Sequence, residues 1–204
     1  MAVALSIGAC GDESSSDANE AAGTFRVKVT KASFPTRQQI GQTSLMQLGI
    51  RNTGRKTVPA LNVNISIAGE EGQTSTLPFA IHDPQPELAQ PDRPVWVLAA
   101  HYPKFVGSSA PGGAETSNQK TYDFGPLKPG KTVNLVWKLS AVKSGHFDLL
   151  YAIGAGLGEQ TKAKTGGGVK PGGSFSVQIS RAQLDKEVTG SGEVVDKKPA
   201  QSTK

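Results

Sequence analysis

The chain has 204 residues, 24 of them glycine and 13 proline, with 36% hydrophobic residues, 19% charged residues and a formal net charge of +5. That balance suits many short strands joined by turns rather than a helical bundle, and no apolar run approaches the roughly 20 residues of a membrane-spanning helix. A single cysteine excludes an internal disulfide framework and any multi-cysteine zinc site.

The chain opens with an apolar run that ends in Ile7-Gly8-Ala9-Cys10. An aliphatic residue, two small residues and a cysteine in that order resemble a bacterial lipobox. The resemblance implies cleavage before Cys10, lipidation of its thiol and an extracytoplasmic location on the bacterial cell membrane. Residues 1–9 hold no Lys or Arg and are short for a secretory leader, so they read as a truncated signal-like segment. Residues 10–24 are small, polar and acidic, with four acids and no base, as befits a flexible tether.

From Phe25 the dominant period is two, the signature of strands with one apolar face. Phe25, Val27 and Val29 alternate with polar residues, as do Met46, Leu48 and Ile50 and then Leu61, Val63, Ile65 and Ile67. The pattern returns at Val133–Leu139, Phe147–Ile153 and Phe175–Ile179. Between these runs stand Asn52-Thr-Gly54, Lys128-Pro-Gly130 and Lys143-Ser-Gly145, which supply the backbone angles of tight turns. Half-exposed alternating strands are antiparallel, and two such sheets face to face give one core. The sequence therefore predicts an all-β, antiparallel β-sandwich of seven or more strands over residues 25–180.

Three motifs carry a family resemblance: Arg51-Asn-Thr-Gly54, Gly125-Pro-Leu-Lys-Pro-Gly-Lys-Thr-Val133 and Ser144-Gly-His-Phe-Asp-Leu149. In order and spacing they resemble the immunoglobulin-like CARDB domains of bacterial surface proteins. The likeness implies an immunoglobulin-like sandwich in a binding, adhesion or scaffolding module of the cell envelope. The motifs are turn chemistry and speak to fold more than to function.

Residues 78–121 form a proline-rich insertion of a length that is usually functional or poorly ordered. Within it, Arg93-Pro-Val-Trp-Val-Leu98 is apolar enough for an ordered segment packed on the sandwich, with Pro94 suited to open an edge strand. Asp83–Pro91 and Ser108–Gln119 are expected to be exposed and mobile. Trp96, Tyr102 and Phe105 either pin the insertion to the sandwich or form an aromatic platform for a ligand, and are the candidate contact residues. Trp137, in phase with Leu135 and Leu139, reads as core. The stretch 165–173 reads as a flexible hairpin loop, and residues 181–204 as a polar tail with room for a small hairpin around Val188–Val194.

Residues suited to catalysis are sparse. His82, His101 and His146 stand in no metal-ligand spacing, and no Gly-x-Ser-x-Gly elbow occurs. Gly154-Ala-Gly-Leu-Gly158 follows a strand, but what comes after it lacks an apolar helical face, so a phosphate-binding loop is not expected. Glu70-Glu71 reads as a solvated corner. Asp83, Glu87 and Asp92 could hold a cation in the insertion. No catalytic residue, cofactor or metal is expected, and the competing reading is a hydrolase or metal-dependent enzyme with its site at 78–121.

With four of the 17 acids in the tether and all 22 bases after it, the remainder carries +9. Arg26, Lys28, Arg51, Arg55, Lys56, Lys128 and Lys131 are scattered in sequence, without the runs and interleaved aromatics of nucleic-acid binders. The expected partners are the membrane, through the lipid, and an envelope protein or anionic polymer, but not nucleic acid.

Overall fold

The computed structural model describes residues 22–68, 79–81, 94–110, 112–115, 121–156, 161–181, 186–188, 190 and 194–196. Its strands are β1 (Gly23–Ser33), β2 (Arg37–Gln39), β3 (Thr43–Asn52), β4 (Asn62–Ala68), β5 (Phe79–Ile81), β6 (Trp96–Leu98), β7 (Lys104–Phe105) and β8 (Ala114–Glu115). They continue with β9 (Thr121–Asp123), β10 (Thr132–Ala141), β11 (Gly145–Gly154), β12 (Thr161–Lys164), β13 (Gly172–Ser180), β14 (Lys186–Val188) and β15 (Val194–Asp196). Among the described residues there is no helix long and apolar enough to cross a membrane.

Two sheets build the sandwich. One runs β12-β1-β3-β10-β6-β5, with β7 also on β10, and the other runs β2-β13-β11-β4-β9-β8. The six longer strands predicted from period-two alternation are all present as β1, β3, β4, β10, β11 and β13. Their inward residues, among them Val27, Leu48, Ile65, Leu135, Leu149 and Val177, are fully buried in one core. This is an immunoglobulin-like topology: first, second, fifth and fourth strands on one sheet, third, sixth and seventh on the other. β1, β3, β10 and β6 fill the first set, and β4, β11 and β13 the second.

The chain changes sheets at Phe34-Pro35. β1 ends at Ser33, and β2 then pairs in parallel with β13 of the opposite sheet. Phe34, buried at the crossing, meets Trp96 and Phe175 with ring centroids 5.6 and 5.8 Å apart. The turn Lys128-Pro-Gly130 reverses the chain into β10, Gly130 taking the positive φ of 72° that a side chain disfavours.

The insertion departs from expectation in two ways. β6 is not an edge strand, because β10 and β5 flank it on either side. Pro94 therefore does not open an edge; it lies two residues before β6, and it is the Val95 carbonyl that accepts hydrogen bonds from Val142 and Lys143. The described part of 108–119 is not free loop either. Gly112 donates to the Pro103 carbonyl at 3.0 Å, and β8 pairs with β9. Asp83–Pro91 lies outside the described residues. Within 165–173 the residues Thr165–Val169 close a turn, in which Thr165 N–H donates to Val169 O and Gly168 N–H to Thr165 O, and Gly172 and Gly173 already belong to β13. β14 and β15 form an antiparallel pair.

Candidate functional site

The aromatic residues of the insertion do not converge. Trp96 is fully buried, its ring against Phe34, Phe79 and Phe147, and its indole N–H donates to Gln38 Oε1 at 2.8 Å. It presents no face to a ligand. Phe105 is half-buried against Phe124 at 5.8 Å. Trp96 is opposite Ala141 and Phe105 opposite Leu135 on the same strand, β10. Six residues of strand set the two about 20 Å apart. Tyr102 is half-buried beneath the Lys104 ammonium, 4.9 Å from its ring centre. Trp96 and Phe105 thus pin the insertion at separate points, so the three rings do not make one platform, while Tyr102 packs partly buried against the core.

The histidines fare similarly. His101 and His146 are exposed, and His146 Nε2 lies 3.0 Å from Ser176 Oγ and 3.8 Å from Asp148 Oδ1. His82, Asp83, Glu87, Asp92, Glu70, Glu71 and Cys10 lie outside the described residues. Among the described residues, no group of three His, Cys, Asp or Glu side chains could hold a metal ion.

What the fold does gather is positive charge. The strands of the β12-β1-β3-β10-β6-β5 sheet contain Lys and Arg but no Asp or Glu. In the parallel β1–β12 ladder, Arg26 stands opposite Lys164 and Thr24 opposite Lys162. In the next ladder Lys28 stands opposite Arg51. All these cations are exposed. The ion-pair contact found among the described residues, His146 with Asp148, sits near the far end of β11. It is about 27 Å of strand away from Gly154.

Two clefts flank the β1–β12 ladder. The first, of about 420 Å³, is walled by Thr24, Arg26, Thr53, Arg55 and Lys56. Asn52, fully buried, fastens its floor. The Asn52 amide donates to the carbonyls of Lys56 and Leu127, both at 2.8 Å, while its oxygen accepts the Gly54 N–H at 2.9 Å. The Asn-x-Gly turn read from the sequence is thus the device that presents Arg55 and Lys56.

The second cleft, of about 400 Å³, is walled by Asn64, Thr161, Lys162, Lys164 and Lys170 around the glycine-rich end of β11. At Gly154 a Cβ would run into the Asn62 side chain, whose amide donates to the Gly156 carbonyl at 2.8 Å. Glycine here lets Asn62 tie down the strand end. A short strand, β12, follows it and carries Lys162 and Lys164. Lys170 is set by the Thr165–Val169 turn and by Pro171, whose carbonyl accepts the Ile153 N–H at 2.9 Å. No carboxylate lines either cleft among the described residues. Both volumes fall in the range of small-ligand sites.

The sequence placed Arg26, Arg55 and Lys56 in the basic count but not together, and it missed Lys162, Lys164 and Lys170. Only pairing between strands distant in sequence joins them. An available signal was the absence of acid from every strand of one sheet.

No family model matches the chain, and no curated protein matches it. Among solved structures it is similar to a CARDB domain of Pyrococcus furiosus, at 12% identity over 76% of this chain and 89% of that one, with a TM-score of 0.43. It is also similar to a cohesin module from a Clostridium perfringens family 33 glycoside hydrolase, at 12% identity over 78% and 98%, TM-score 0.41. A third likeness is to Escherichia coli alpha-2-macroglobulin, at 17% identity over 78% of this chain and 17% of that one, TM-score 0.42. At these levels the likenesses carry nothing about function; the immunoglobulin-like reading stands on the strand order itself.

Proposed function

We propose that this chain is a non-catalytic binding module of the bacterial cell envelope, held at the membrane by a lipid on Cys10 and engaging an acidic partner through the basic end of its sandwich. The observation that carries this reading is the pair of clefts around β1 and β12, each walled by three cations and by no carboxylate among the described residues. Clustered like charges repel one another, and an anionic partner relieves that repulsion while gaining long-range steering.

Two measurements test it. Metabolic labelling with a radioactive fatty acid should mark the wild type and leave Cys10→Ser unlabelled; an unlabelled wild type removes the anchor. Purified Cys10→Ser chain should sediment with isolated bacterial envelopes at low salt. It should be released at about 1 M salt, where the Debye length falls to about 3 Å. A chain that stays in the supernatant at low salt removes the binding reading.

A further inference from the structure

We infer that the two clefts act together, and that their ligand is a linear polyanion of closely spaced phosphate groups without aromatic bases. This deepens the reading above and rests on its binding half, not on the lipid.

Four observations lead there. First, the clefts share a wall: Thr24 and Arg26 line one, and their ladder partners Lys162 and Lys164 line the other. Adjacent strands lie about 4.8 Å apart, and among the described lining residues none of opposite charge stands between the two sites. A small anion in one cleft leaves the outer cations of the other unmet, whereas one chain crossing the ladder meets Arg55 and Lys56 on one side and Lys162 and Lys170 on the other.

Second, the donors exceed what a carboxylate can use. Each cleft offers three cations, and the first adds two guanidinium forks, from Arg26 and Arg55. An internal phosphate of such a chain offers two non-bridging oxygens that an Arg fork matches two at a time, as it does a carboxylate, and the close succession of charged groups along one chain is what can meet three cations in one cleft. Third, among the described residues no carboxylate lies within ion-pair distance of these cations. Fourth, the aromatic residue lining a cleft is Phe25, which is buried. Bases bind single-strand sites by stacking on exposed rings, and among the described lining residues there is none.

The test uses the full-length Cys10→Ser chain and isothermal titration with inorganic phosphate, tripolyphosphate and long-chain polyphosphate. Two linked contacts raise affinity by factors of about 10² to 10⁴, so long-chain polyphosphate should bind about a hundredfold more tightly than tripolyphosphate. Reversing charge in either cleft, by Arg55→Glu with Lys56→Glu or by Lys162→Glu with Lys170→Glu, should bring the long chain down to the tripolyphosphate level. Because all four residues are exposed, the variants should keep the wild-type circular dichroism. Should a reversal unfold the chain, the corresponding Gln pair replaces it, with the same collapse expected.

Equal affinity for short and long polyphosphate overturns the bridging, as does a cleft variant that leaves long-chain binding unchanged. Three further arms at matched ionic strength use poly-glutamate, a single-stranded oligonucleotide, and phosphatidylglycerol vesicles. Tighter binding of any of them than of long-chain polyphosphate overturns the ligand class. Salt-sensitive sedimentation with envelopes but no polyphosphate binding rejects this inference and leaves the general binding reading standing.

Discussion

Trp96 and Trp137 are both fully buried, and they differ in what the indole N–H meets. The Trp96 N–H donates to Gln38, which itself donates to the Pro35 carbonyl at 2.9 Å, so the pair ties β6 to the strand crossing on the opposite sheet. Among the described residues the Trp137 N–H has no hydrogen-bond partner, and its ring is packed against Tyr122 and Phe124. Truncating Trp96 to Ala is expected to destabilise by about 3–5 kcal/mol and to lower Tm by about 10 °C. The sharper comparison is Phe at each site. Trp96→Phe leaves the Gln38 oxygen unpaired, a penalty of about 1–3 kcal/mol that Trp137→Phe does not carry. Urea denaturation of the two Phe variants checks this, and equal losses would show that the Gln38 bond contributes nothing.

Tyr151 gives a pH dependence at the same scale. It stacks on Phe175 with centroids 5.3 Å apart, and burial raises its phenol above the ordinary value of 10.0. Near that pH the unfolded chain gives up the proton while the fold keeps it, so the native state binds more protons. Stability is therefore untouched below the ordinary value and falls as pH rises through it. Tyr151→Phe should flatten that part of the profile relative to wild type, measured by denaturant midpoints on either side of pH 10.

At the scale of elements, the β1–β3 ladder sets Lys28 against Arg51. Like charges directly opposite on a sheet destabilise it, and opposite charges contribute about 0.2–1 kcal/mol. Arg51→Glu should therefore raise the denaturation midpoint, an unusual sign for a charge reversal. Neither residue lines a cleft, so polyphosphate affinity should change far less than with Arg55→Glu. The same elements show what was legible in the sequence. β3, β10 and β11, at ten residues each, are long enough for the period of two to register. β2, β7 and β12 hold three, two and four residues, too few for a period. Thr161-Lys-Ala-Lys164 reads as polar chain and becomes a strand because β1 offers it a free edge. The basic clefts were illegible for the same reason, since the placement of Arg26 opposite Lys164 is a property of that pairing. The Asn52 and Gly130 turns were legible because their chemistry is local.

Over the whole molecule, the charge is divided between an acidic tether and a basic remainder of +9. Within that remainder one sheet of the sandwich has strands free of acid. Two consequences can be separated by salt. Repulsion among exposed cations is screened as the Debye length falls from about 30 Å at 0.01 M to about 8 Å at 0.15 M. Sodium chloride should thus raise Tm across that range, the reverse of a fold held by surface ion pairs. Screening alone depends on ionic strength and not on which anion supplies it. A bound anion instead stabilises the fold by mass action, by an amount set by its concentration relative to its dissociation constant. At matched ionic strength, polyphosphate should raise Tm well beyond chloride in the wild type. It should match chloride in a variant that carries Arg55→Glu, Lys56→Glu, Lys162→Glu and Lys170→Glu together. Identical melting curves in the two salts for the wild type would mean that the cations act only through their net field, as a solvated basic face with no site on it.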